Sequence, residues 1–128
     1  MAEFALPIIV DEEGNLVVHE SAEQACSGME AIDVFDGVYD VFDSEGRRLV
    51  VVVSGNRISL KTSPDFLAEP DELAGRLRHY IKRLGTGLLE IEDLDQTTTP
   101  VLIETLVRFQ RGEFSRKKSR KCLRFWGS

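Results

Sequence analysis

Leu49-Val50-Val51-Val52-Val53, an unbroken aliphatic run between Gly46 and Gly55, limits what this chain can become more than any other stretch. Successive side chains of a strand point to opposite faces, so a run apolar at every position asks for cover on both sides. The β-branched valines favour extended backbone, and the run is far shorter than the roughly 20 residues that span a bilayer. It predicts a strand in the middle of a sheet. Val38–Asp43 and Arg57–Lys61 are β-prone runs on either side, joined to it by Ser44-Glu45-Gly46-Arg47 and by Gly55-Asn56. The two-residue link tolerates positive φ and suits a tight hairpin. Residues 38–61 therefore read as an antiparallel meander.

Upstream, Ala5–Val10 and Leu16–Glu20 flank Asp11-Glu12-Glu13-Gly14-Asn15, a second hairpin signal. Ser21-Ala22-Glu23-Gln24 is a capping box: the Ser21 hydroxyl accepts an amide of the first turn and Gln24 reaches back to the Ser21 amide. Ala22, Ala25, Cys26 and Met29 give the following helix an apolar face, with an end expected near Ala31.

Glu69-Pro70-Asp71-Glu72 opens the strongest helix, with proline where its missing N–H costs nothing and acids at the positive end of the dipole. Leu73, Leu77, Tyr80, Ile81 and Leu84 form its apolar stripe, and Gly85 is placed to cap it. Leu88–Asp95 reads as either a strand or an acidic helical turn. A last helix starts at Thr99-Pro100, points Leu102, Ile103, Leu106, Val107 and Phe109 inward and stops at Gly112. The order ββα-βββ-αα-tail, with hairpins and no strand–helix–strand alternation, predicts an α+β fold. About five strands form an antiparallel sheet, and about three helices pack on one face of it.

A chain of 128 residues suits one domain, with residues 1–112 as its acidic α+β body and residues 113–128 as a basic C-terminal tail. Cys26 and Cys122 lie far apart and belong to no Cys/His cluster, as expected of a reduced, cytoplasmic protein. Met1 to Val10 lack the basic start and long apolar run of a secretory signal.

Charge is divided unevenly. Residues 1–107 hold 21 Asp and Glu against 8 Lys and Arg, a balance of −13, whereas residues 108–128 hold 1 Glu against 8 Lys and Arg, a balance of +7. The acids gather at Asp11/Glu12/Glu13, at Asp33/Asp36/Asp40/Asp43/Glu45 and at Glu90/Glu92/Asp93/Asp95. The second group does not have calcium-loop spacing: stepping back from Gly37 or Gly46 at EF-hand intervals meets Ile32, Val34 or Val41. No metal and no cofactor is expected.

His19 and His79 have no local nucleophile or carboxylate to complete a catalytic set, so no catalytic residue is assigned and the chain reads as a non-enzyme. An acidic body attracts basic partners and repels nucleic acid. The expected partner surface is Asp36, Asp40, Asp43, Glu45, Glu90, Glu92, Asp93 and Asp95, with Phe35, Tyr39 and Phe66 as aromatic anchors. In size, acidity and absence of catalytic motifs the chain is similar to the small cytosolic immunity proteins that protect bacteria from secreted toxins. That resemblance implies an inhibitor that neutralises a basic protein such as a toxin nuclease.

The tail admits three roles. Arg116, Lys117, Lys118, Arg120, Lys121 and Arg124 suit phosphate contact, with Phe125 or Trp126 stacking on a base, which makes a nucleic-acid-associated protein the alternative function. The same residues suit an anionic membrane surface. The favoured expectation is docking on the acidic body, because a tethered segment of opposite sign meets that body at high effective concentration.

Overall fold

The computed structural model describes residues 4–62 and 68–114. Strands β1 (Ile8–Glu12) and β2 (Asn15–His19) form the first hairpin. Two short helices follow, α1 (Ala22–Ser27) and α2 (Ala31–Phe35). The meander is β3 (Tyr39–Phe42), β4 (Arg48–Ser54) and β5 (Arg57–Lys61), close to its expected bounds. Helix α3 (Pro70–Leu84), a 3₁₀ turn at Leu94–Gln96 and α4 (Thr99–Gln110) complete the described elements. All strand pairs are antiparallel in the order β2-β1-β3-β4-β5, an α+β fold as expected.

Two expectations are corrected. The valine-rich strand β4 is not central: β1 inserts between β2 and β3, so β3 holds the middle and Val50 to Val53 are only half-buried. Ile8-Ile9-Val10 of β1, buried on both faces, is the run that carries the sheet's interior. Nor are the helices confined to one face. Ile9, Leu16, Val18 and Phe42 point toward α3 and α4, meeting Leu73, Leu77, Ile81, Leu102 and Leu106. Ile8, Val10, Val41 and Leu49 point the other way and pack with Ala25 and Met29, with Val34 against them. A central strand apolar on both faces demands that second layer.

Helix α1 touches β1, β2 and also β5, the strand at the far edge. Across a flat sheet those edges would stand about 19 Å apart, nearly twice a helix diameter. The sheet therefore curls around α1.

Local signals explain most of the boundaries. The Gln24 amide donates to the Ser21 hydroxyl at 3.1 Å, while the Gln24 side chain accepts from the Glu20 amide at 3.2 Å, one residue earlier than the expected Ser21. Helix α1 stops at Ser27 rather than near Ala31, because the chain turns at Gly28 and restarts as α2. Leu88–Asp95 is not a strand: it runs as turns into the 3₁₀ turn at Leu94–Gln96, the helical-turn alternative at its acidic end, and Arg78 donates to the carbonyls of Leu94 and Thr97 and so holds this connection. Phe114, beyond the expected body limit at residue 112, is fully buried in the α3–α4 core.

Gly46 sits at φ +86 in the β3–β4 turn, and a Cβ there would lie 2.6 Å from the Pro70 Cα at the start of α3. Gly55, at φ +62, would meet nothing within 4 Å. Gly46→Ala should therefore destabilise the protein by about 3 kcal/mol and Gly55→Ala by only about 1 kcal/mol in urea unfolding, since both strain the backbone but only one also strikes another element. Equal costs would contradict the close approach of turn and helix.

Candidate functional site

The register of β1 and β3 sets Asp11 directly opposite Asp40 on the face covered by α3. Like charges in that relation are destabilising. Arg76 of α3 reaches down between them, its Nη1 lying 2.8 Å from Asp11 Oδ2 and 2.8 Å from Asp40 Oδ2. Glu72, one turn earlier, accepts from Arg76 Nη2 at 3.3 Å. Arg48 of β4 extends the network, with Nη1 3.1 Å from Asp40 and Nε 3.0 Å from Glu69. Both guanidinium carbons lie over the buried Phe42 ring, 4.8 Å and 5.1 Å from its centroid. Burial opposes the charge of Arg76, but its hydrogen bonds to Asp40 and Asp11 outweigh this and raise its pKa above the usual arginine range.

Asp43 is enclosed by its own turn. Its side chain is 0% exposed and accepts from the amides of Ala5, Glu45 and Arg47 at 3.3, 3.0 and 2.9 Å, organising the β3–β4 turn. Glu45 is exposed and pairs with Arg47 at 3.6 Å. Asp40, Asp43 and Glu45 thus bind the protein's own cations and amides; Asp43 is withdrawn from the surface, while Asp40 and Glu45 keep part of theirs exposed.

The remaining acids do not form one face. Glu90, Glu92, Asp93 and Asp95 are exposed on the connection between α3 and α4, where Ile91 and Leu94 pack on one core. Asp33 and Asp36 belong to α2, whose Val34 packs on the other core, across the sheet. Sequence proximity within each group survives folding; union of the groups does not.

Helix α2 remains as a distinct surface. Ile32 and Phe35, at i and i+3, are 66% and 76% exposed. Tyr39 is half-buried and acts as a strut: its hydroxyl accepts from the Glu30 amide at 3.2 Å and donates to Asp33 at 3.4 Å. Burial raises the Tyr39 pKa. Glu30 and Asp36 flank the helix, exposed and without an ion pair among the described residues. Phe35 is thus the expected anchor that stands free, and Tyr39 positions its helix. Ile32 is an additional member, detectable from the Ile32-x-x-Phe35 spacing had α2 been read as a helix. Phe66 and the tail residues Arg116, Lys117, Lys118, Arg120, Lys121, Arg124, Phe125 and Trp126 lie outside the described residues.

Among the described residues no group of three or more His, Cys, Asp or Glu could hold a metal ion. No helix of the described residues is long and apolar enough to cross a membrane. His79 is solvent-exposed on α3, as the helical spacing predicts, and His19 is half-buried on the α1 side of β2. Burial lowers the His19 pKa, and it raises that of the Cys26 thiol, which disfavours the reactive thiolate. Comparison with protein-family models, with curated proteins and with solved structures finds no match in any of the three.

Two outcomes follow from this geometry. Arg76→Met should cost about 2–3 kcal/mol, because Asp11 and Asp40 are left facing each other without their bridge. Asp40→Asn added to that variant should recover part of the loss, and a double-mutant cycle should show about 1 kcal/mol of coupling or more; additive costs would contradict the bridge. His19, its folded pKa below the ordinary 6.5, contributes stability that is present above that value and lost as pH falls through the folded pKa. The thermal midpoint of the wild type should therefore fall more steeply than that of His19→Gln between about pH 7 and 5.

Proposed function

We propose that this chain is a non-enzymatic protein-binding module whose contact centre is the exposed face of α2. The observation that carries the reading is Phe35, a large aromatic side chain three-quarters exposed beside Ile32 on a helix rigidly seated by Val34 and Tyr39. Preorganised aromatic side chains are the usual energetic centres of interfaces, since they bury much area at little conformational cost. Glu30, Asp33 and Asp36 give the segment three negative charges and no cation, which favours a basic partner with an apolar pocket for Phe35. A toxin-neutralising inhibitor of a cationic enzyme is the most concrete form of this function. The acids would steer the encounter and compete for cations that otherwise bind substrate phosphates.

Titration of the ¹⁵N-labelled full chain with an amphipathic arginine–leucine peptide tests the reading. Chemical-shift changes should concentrate between residues 30 and 39. The Ile32→Ser/Phe35→Ser double variant should bind at least about tenfold more weakly with an unchanged fold, and binding should weaken as salt rises from about 50 to 300 mM, because added ions screen the acids of α2. Shifts centred on residues 90–95, or a variant that binds equally well, would contradict it. Tight binding of duplex DNA in place of the peptide would instead support a nucleic-acid role.

A further inference from the structure

The sheet has two edge strands, and the structure treats them differently. On β2, the Gln110 side chain accepts from the Val18 amide at 2.6 Å and donates to the Val18 carbonyl at 2.9 Å, as a neighbouring strand would. Gln24 occupies the next outward amide, that of Glu20. On β5 no side chain or backbone group among the described residues makes an equivalent bond. Free edges of this kind are templates for pairing unless guarded.

A groove of about 690 Å³ runs between this edge and α1. Consecutive residues Arg57, Ile58, Ser59 and Leu60 all line it, so it follows the backbone edge of β5 and not one of its faces. Ala22, Cys26 and Met29 form the apolar part of the opposite wall, and Glu23 and Ser27 its polar, solvent-side part. We propose that this groove accepts an extended peptide segment as a sixth strand, with acidic residues flanking an apolar centre. The site is separate from the α2 surface and does not depend on it.

Charge selects the occupant. Arg57, Ser59 and Lys61 share the sheet face of Arg48, whereas Ile58 and Leu60 face the α1 core. Arg57 and Lys61 are exposed and make no ion pair among the described residues. A second copy paired antiparallel about Ser59 would set Arg57 against the partner's Lys61, like charge against like. The chain's own tail brings Arg116, Lys117, Lys118, Arg120, Lys121 and Arg124, again of the same sign. A strand with carboxylates four residues apart meets both cations, and its alternate apolar side chains face Ile58, Leu60 and Met29.

The test uses the full chain and a ten-residue peptide built around Glu-Val-Thr-Val-Glu, with amide hydrogen exchange read residue by residue. At saturation, amides between residues 57 and 61 should exchange at least about tenfold more slowly, while those of α4 are unchanged. The Arg57→Glu/Lys61→Glu variant, altered only at exposed positions, should keep its melting temperature. It should bind this peptide about tenfold more weakly and prefer a version with lysine in place of glutamate. Unaltered exchange at 57–61, or equal binding by the variant, would overturn the proposal. So would protection at β5 that rises with protein concentration alone, which assigns the edge to a second copy. Loss of protection in the peptide-free chain when residues 115–128 are removed would assign it to the tail and equally overturn the proposal.

Discussion

One guanidinium sets how α3 seats on the sheet. Arg76 projects from the helix that follows the sheet and inserts between carboxylates contributed by neighbouring strands, Asp11 and Asp40. Without it, β1 and β3 would bring two negative charges into direct opposition at the mouth of the α3 core. With it, repulsion becomes a bridge that fixes the angle and register of α3 on the sheet. The aromatic ring of Phe42 beneath both Arg76 and Arg48 makes the contact more than electrostatic, because a half-buried guanidinium over a ring loses hydration and gains a favourable quadrupole. Buried ion pairs add little net stability relative to apolar packing, yet removing one partner is costly. This network therefore serves more to specify the arrangement than to stabilise it.

The same network reshapes the functional argument. An excess of acid in the sequence suggests one broad negative face, but folding assigns Asp11, Asp40, Asp43, Glu69 and Glu72 to internal partners. Away from that network, Glu30, Asp33 and Asp36 of the α2 segment stand beside the exposed side chains of Ile32 and Phe35. A binding surface is then defined less by the amount of charge than by where charge remains unmatched next to something that can be buried. The guarded edge at β2 and the open edge at β5 follow the same logic: Gln110 closes one possible contact, and nothing described closes the other.

Much of the fold was legible in the sequence because its signals are local. The Gly55-Asn56 link, the Ser21 cap, the Pro70 start and the Leu73-Leu77-Ile81 stripe each act over a few residues, and the starts they mark lie within a residue of expectation, although α1 ends at Ser27, short of Ala31. Strand order was not legible. Nothing near Leu49–Val53 reveals that Ile8–Val10 will insert two places away, because that choice depends on which faces long-range packing covers. Nor could the sequence tell a paired carboxylate from a free one. Asp36 and Asp40 are alike as letters, but only Asp40 faces a helix bearing Arg76. Helix α2 leaves little trace in the sequence because it lasts barely one turn and has no side-chain cap, which hides Ile32, while Phe35 stands out by its aromatic character alone.

Photocrosslinking from position 35 tests the central claim most directly. With p-benzoylphenylalanine in place of Phe35, irradiation in the source cells should give a dominant adduct with one basic protein, and the same substitution at Asp93, on the far side of the sheet, should not. Equal labelling from both positions, or an adduct with an acidic protein or with nucleic acid, would contradict the account.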